Sequence, residues 1–148
     1  MKKIYLFLSI SILILQSCSS SDSSSSSSSQ SMVGKWEYFQ VKVFPAGTTI
    51  TGNEELNNIT FQCPIKKDYV QFWPEGTAKL VTYDQNCMED SSIATWVKTD
   101  FLLNFNYNNN QTATWEIVYL DNSIMKIKYP NPSTGTPMEY IVGSFKKI

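Results

Sequence analysis

From residue 33 onward the hydrophobic positions of this chain recur at every second residue, and helical spacing is nearly absent. Such alternation puts apolar side chains on one face of a strand and polar ones on the other. Residues 101–107 align Phe101, Leu103, Phe105 and Tyr107 against Asn104 and Asn106. Residues 112–120 gather Ala113, Trp115, Ile117 and Tyr119, and residues 123–129 set Met125, Ile127 and Tyr129 against Lys126 and Lys128. In 33–44, Trp36 and Tyr38 share one face while Phe39, Val41 and Val43 share the other, which predicts a bulge or bend between Tyr38 and Phe39. Strands over 68–73 and 77–84 flank the turn Pro74-Glu75-Gly76; a short one follows around Trp96 (93–98), and the last covers 138–146. Asn108-Asn109-Asn110 and Asp121-Asn122 read as turns, and 130–137 as a Pro/Gly loop. Residues 46–67 are irregular, with one helical turn expected over 54–59.

About eight strands joined mostly by short turns favour an all-β fold, an antiparallel up-and-down barrel, because closure removes exposed sheet edges. A β-sandwich is the alternative, but the long crossings of a Greek key are scarce. An eight-stranded barrel has an interior that side chains fill or that holds one small ligand.

The chain opens differently. Lys2 and Lys3 precede an apolar run, 4–15, interrupted only by Ser9 and Ser11. Twelve residues fall short of the roughly 20 needed to span a bilayer as a helix and suit a signal peptide. Leu15-Gln16-Ser17-Cys18 then resembles the bacterial lipobox, with an aliphatic residue at −3, a small one at −1 and a Cys whose sulfur takes the lipid; Gln16 is the less usual residue. Residues 1–17 are thus expected to be removed and Cys18 to carry the acyl anchor; an ordinary cleaved signal peptide with a chance cysteine is the competing reading. Residues 19–31 are all Ser except Asp22 and Gln30, with nothing to bury, and read as a flexible tether. The folded domain is then 32–148.

Charge and chemistry narrow the function. Beyond residue 17 the Lys and Arg total is 12 − 2 = 10 against 13 acids, a balance of −3, which lacks the basic footprint of a nucleic-acid binder. There is no His in the chain, so general-base and zinc chemistry lack their commonest residue; carboxylate pairs such as Glu54-Glu55 and Glu89-Asp90 read as solvated surface. No catalytic residue, metal or cofactor is expected. Cys63 and Cys87 remain once Cys18 is lipidated, and an even pair in an exported chain reads as one disulfide, with two buried thiols as the alternative.

Val33-Gly34-Lys35-Trp36 resembles the Gly-x-Trp motif that opens the first strand of lipocalins, and Phe72-Trp73-Pro74-Glu75-Gly76-Thr77, flanked by Cys63 and Cys87, resembles a hairpin of the small lipocalin-like lipoproteins of Bacteroidota. The resemblance implies a barrel closed at one end by Trp36 as a structural plug, with no part in ligand contact. It departs at the Arg that packs on that Trp, since this chain has no Arg; Lys146 or Lys147 is left to take the place. A small apolar ligand in or at the mouth of the barrel is implied, with Phe101, Leu103, Phe105, Trp115, Ile117 and Tyr119 as candidate lining. The alternative is a non-catalytic envelope protein with a packed core, acting through the loops 46–67 and 131–136. Ser19 after Cys18 is not the Asp that retains lipoproteins in the inner membrane of well-studied Gram-negative bacteria, so the outer membrane is expected, on either face.

Overall fold

The computed structural model describes residues 31–131 and 139–148. The signal segment, Cys18, nearly all of the tether and most of the loop before the last strand lie outside the described residues. The strands among those described are β1 (Gly34–Pro45), β2 (Asn57–Asn58), β3 (Tyr69–Phe72), β4 (Thr77–Tyr83), β5 (Glu89–Thr99), β6 (Leu102–Tyr107), β7 (Thr112–Leu120), β8 (Ile124–Pro130) and β9 (Glu139–Lys147). From β3 onward each pairs antiparallel with the next; β1 pairs with β3 on one side and β9 on the other, which closes the ring. The result is an eight-stranded antiparallel barrel, with β2 as a two-residue ladder on β1 at Gln40 and Val41. The helical turn expected over 54–59 does not form. Asn is a weak helix former, and the segment is held extended, with Ile59 N–H donating to Phe39 O at 3.1 Å.

Two bulges decide which side chains face inward. The first lies between Tyr38 and Gln40, as the change of face in the sequence predicts; it returns Val41 and Val43 to the inner side, opposite Gly143 and Ile141. The second lies between Ile117 and Tyr119. Val118 is the extra residue there, so Tyr119 pairs with Lys126 on the outer face, 40% exposed, and donates its hydroxyl to Asp121 at 2.8 Å. Phe101 also leaves the inner set. Thr99 pairs with Leu102, so Asp100 (φ 52°) and Phe101 form the hairpin turn, and Phe101 is 72% exposed.

One half of the barrel is packed solid. Trp36, Val70, Phe72, Leu103, Phe105, Met125 and Ile127 are at most 1% exposed. Rings pass contact along it: Trp96 on Phe72 edge-on at 5.0 Å, Phe72 to Phe105 at 6.1 Å, Phe105 to Trp115 at 4.5 Å. Trp36 closes this end, its indole N–H donating to Met32 O at 2.8 Å and Lys147 Nζ lying 5.1 Å from its ring. The connections here are short: 73–76, 100–101 and 121–123.

A smaller apolar cluster sits outside the barrel. Phe44, Leu56 and Val142 pack with Ile50 and Val118, so the long β1–β3 connection covers the outer face of β1 and β9. Lys126 Nζ fastens it by donating to Gly52 O at 2.6 Å and Glu54 O at 3.3 Å. The same connection is tied at the opposite end from Trp36 by the disulfide Cys63–Cys87, which joins it to the β4–β5 turn.

Candidate mouth and inner recess

At that opposite end the barrel is open. β5 pairs with β4 along its whole length up to Thr95, but with β6 only from Ala94 onward. The stretch from Glu89 to Ile93 therefore faces the β6–β7 hairpin without a ladder, and a mouth of about 660 Å³ lies there, lined by residues including Leu80, Thr82, Asp90, Ser92, Tyr107 and Ala113. Below it a recess of about 180 Å³ runs into the barrel, walled by Tyr38, Trp115, Tyr129 and Phe145, with Asp68 at its rim. Leu80 and Thr82 line both spaces, so the two adjoin.

The recess walls are aromatic and braced. Tyr38 stacks on Phe145 at 4.7 Å, and Trp115 lies 5.9 Å from Tyr129 and 6.3 Å from Phe145. Gly143 makes the space for this: a Cβ there would lie 2.7 Å from the Tyr38 ring. The Tyr38 and Tyr129 hydroxyls meet at 3.3 Å. Burial pushes both phenols above their ordinary range, and for Tyr38 the nearby Tyr129 and Asp68 push the same way. Both stay protonated at neutral pH; one proton is used between them, and the other is free to donate to a bound molecule. Burial also raises the Asp68 carboxyl, against the Tyr83 backbone N–H that donates to it at 3.0 Å. Among the described residues no group of three or more His, Cys, Asp or Glu could hold a metal ion.

The residues singled out from the sequence divide cleanly. Trp115 is a wall of the recess. Leu103, Phe105 and Ile117 belong to the packed core. Phe101 and Tyr119 are outside the barrel, and Trp36 is at the far end. Tyr38, Leu80, Phe145 and Asp68 line the open half without any sequence signal for a site, and Asp90, which reads as solvated surface, is exposed but on the lining of the mouth. Tyr107 and Tyr129 were legible as inward positions but not as part of a site.

No protein-family model matches the chain, and no curated protein matches it. In structure it is similar to an uncharacterized protein from Bacteroides eggerthii DSM 20697, with a TM-score of 0.51 and 10% identity over 80% of this chain and 100% of that one. The fold is a lipocalin-like closed barrel. Fits to a lipocalin-like protein from Bacteroides uniformis ATCC 8492 (TM-score 0.49, 11% identity, 78% of this chain and 97% of that one) and to a bovine odorant binding protein triple mutant (0.44, 16%, 78% and 72%) are looser. At these identities the likeness concerns the fold alone, and function rests on the lipocalin-like barrel's own open half.

Proposed function

We propose that this lipocalin-like barrel is a lipid-anchored, outer-membrane binding protein that takes one small, mainly apolar ligand through its open end. The observation that carries the reading is an apolar-walled recess of about 180 Å³ that adjoins a wider mouth lined largely by polar residues, beside a half-barrel that is packed solid. Spaces of a few hundred Å³ with apolar walls and a few convergent polar groups are the usual form of a small-molecule site. Trp115, Phe145 and Leu80 supply the apolar wall, and the Tyr38–Tyr129 pair supplies a donor at depth. The anchor is supported by the lipobox-like Leu15-Gln16-Ser17-Cys18 after an h-region of signal length.

Titration of the mature chain, Cys18→Ser, with the neutral dye N-phenyl-1-naphthylamine tests the binding reading. Saturable one-to-one enhancement is expected, and Leu80→Trp, which fills the junction of mouth and recess, should abolish it while leaving the melting cooperative. No saturable binding would instead favour an envelope protein with no interior ligand. The anchor is tested separately. Cys18→Ala should move the protein out of the detergent phase and change its mature mass; an unchanged mass and partition would refute lipidation.

A further inference from the structure

Resting on the ligand-binding reading, we propose that the open half of the barrel selects organic cations: an ammonium group on a small ring or short chain. The charges that line the mouth and recess carry the argument. Among the described lining residues only Asp68 and Asp90 are charged, and both are acids. Asp90 sits opposite Thr82 on the inward register of β5, in the stretch that has no partner in β6.

The lysines near this end are engaged elsewhere. Lys66 donates to Cys87 O and lies 4.9 Å from the Tyr83 ring; Lys67 pairs with Glu37, Lys79 with Glu89 and Lys128 with Glu116, each at 2.6–2.8 Å. Lys126 is spent on the carbonyls of the outer connection. Asp68 has one oxygen on the Tyr83 N–H and no cation beside it among the described residues.

This arrangement separates three ligand chemistries. Anything that fills the recess strips water from Asp68. A neutral molecule leaves that carboxylate less hydrated and still unpaired, which costs free energy. An anion adds repulsion from both acids. A cation offsets the dehydration with an ion pair at Asp68, and Tyr38, whose phenol is near enough to feel that carboxylate, puts an aromatic ring beside the charge. The raised Asp68 carboxyl agrees, since it marks a charge that burial already disfavours. Size follows from volume: a recess of about 180 Å³ has room for roughly six water-sized groups, which suits one phenyl ring or a short alkyl chain, with the ammonium held at the rim.

Calorimetric titration of the mature Cys18→Ser chain with three matched probes tests this: 2-phenylethylamine, 2-phenylethanol and 3-phenylpropanoate. The protonated amine should bind roughly tenfold tighter than the alcohol, the scale of one partly desolvated cation–π contact, and the carboxylate should bind weakest. Asp68→Asn keeps an acceptor for the Tyr83 N–H, so it should melt cooperatively; it should erase most of the amine preference, weakening the amine and tightening the alcohol, which no longer strips water from a charge. Asp90→Asn should take a smaller share, because that acid is exposed and screened. Asp100→Asn makes the same charge change at the closed end and should leave all three affinities alone. An alcohol that binds as tightly as the amine, or a preference that survives in the Asp68→Asn/Asp90→Asn double variant, overturns the cation inference and leaves the ligand-binding reading standing. If none of the three probes binds and the neutral dye also fails, both fall.

Discussion

Gly34 holds a backbone conformation, φ +130°, that other residues rarely adopt, and a Cβ there would lie 2.8 Å from Lys147 Cε. The Lys147 side chain crosses that gap to reach the Trp36 ring at 5.1 Å and to donate to Ser31 O at 3.2 Å. The glycine thus leaves room for the cation over the tryptophan, and of the two neighbouring lysines it is Lys147, not Lys146, that lies there. Gly34→Ala should cost about 1–3 kcal/mol through backbone strain and the displaced lysine, read from denaturant midpoints. Trp36→Ala should cost about 3–5 kcal/mol as a large buried ring is lost. Lys35→Ala should cost at most about 1 kcal/mol; Lys35 Nζ lies 3.8 Å from the Tyr69 ring, and a partly exposed contact of that kind is worth little more. A wild-type midpoint for Trp36→Ala would remove the plug. Asp68 gives a pH signature. Its folded carboxyl is raised, so the folded state binds the proton more readily than the unfolded chain. Its charge therefore weakens the fold once pH rises above the folded value, and has no effect below the unfolded one, about 3.9. Asp68→Asn should raise the melting temperature at pH 7 and leave it unchanged near pH 3; the opposite order would show that the carboxylate is stabilised in place.

At the scale of the strand, what could be read from the sequence depends on what each face touches. β6, β7 and β8 surround the packed half, so their inward positions are apolar and the alternation is clear. The Tyr38–Gln40 bulge was legible because two apolar residues, Tyr38 and Phe39, stand side by side where the face changes. The Val118 bulge was not, because both faces are apolar at that point: Ile117 enters the main core while Val118 joins Phe44, Leu56 and Val142 outside. β5 starts earlier than its pattern suggests, since Glu89, Asp90, Ser91 and Ser92 are polar on both sides. The inner members of that stretch line a mouth open to water, and an open mouth leaves no hydrophobic signature. The site was thus hidden by the property that makes it accessible. Two measurements separate the outer elements from the mouth. Leu56→Ala should cost about 2–5 kcal/mol as a buried aliphatic side chain of the outer cluster, with dye binding retained. Cys63→Ala/Cys87→Ala opens a link between residues 24 apart and should cost about 3 kcal/mol in the chain-entropy account. Because the bridge joins two connections at the open end, hydrogen exchange should rise at 60–68 and 84–90 and stay slow around Trp36. Uniform acceleration would mean that the bridge stabilises the whole barrel and not the mouth.

For the whole molecule, the position of Ser31 sets an orientation. Its carbonyl takes the Lys147 ammonium beside Trp36, so the chain leaves the barrel at the closed end, while the mouth, with Asp90, Tyr107 and Asn109, is at the other. On the proposed anchor at Cys18, residues 19–31 would link membrane and barrel. If that Ser-rich stretch of thirteen residues behaves as the flexible coil its composition suggests, it would span roughly 20 Å, while strands of nine residues, such as β7 and β9, extend roughly 30 Å along their length. Turning the mouth onto the bilayer would require the tether to stretch around the barrel well beyond its relaxed span. The closed end should therefore face the lipid and the mouth the aqueous compartment, so ligand would be drawn from solution and not from the bilayer. Energy transfer tests this on the lipidated protein in vesicles that carry a headgroup acceptor. A donor placed at Asp100→Cys, on the closed-end hairpin, should transfer more strongly than one at Asn109→Cys, on the rim of the mouth. Lengthening the Ser tract by about twenty residues, which raises the relaxed span to roughly 30 Å, should shrink the difference between the two sites. Equal transfer at the native tether length would mean that the barrel tumbles freely on its anchor, and stronger transfer from Asn109→Cys would place the mouth against the membrane.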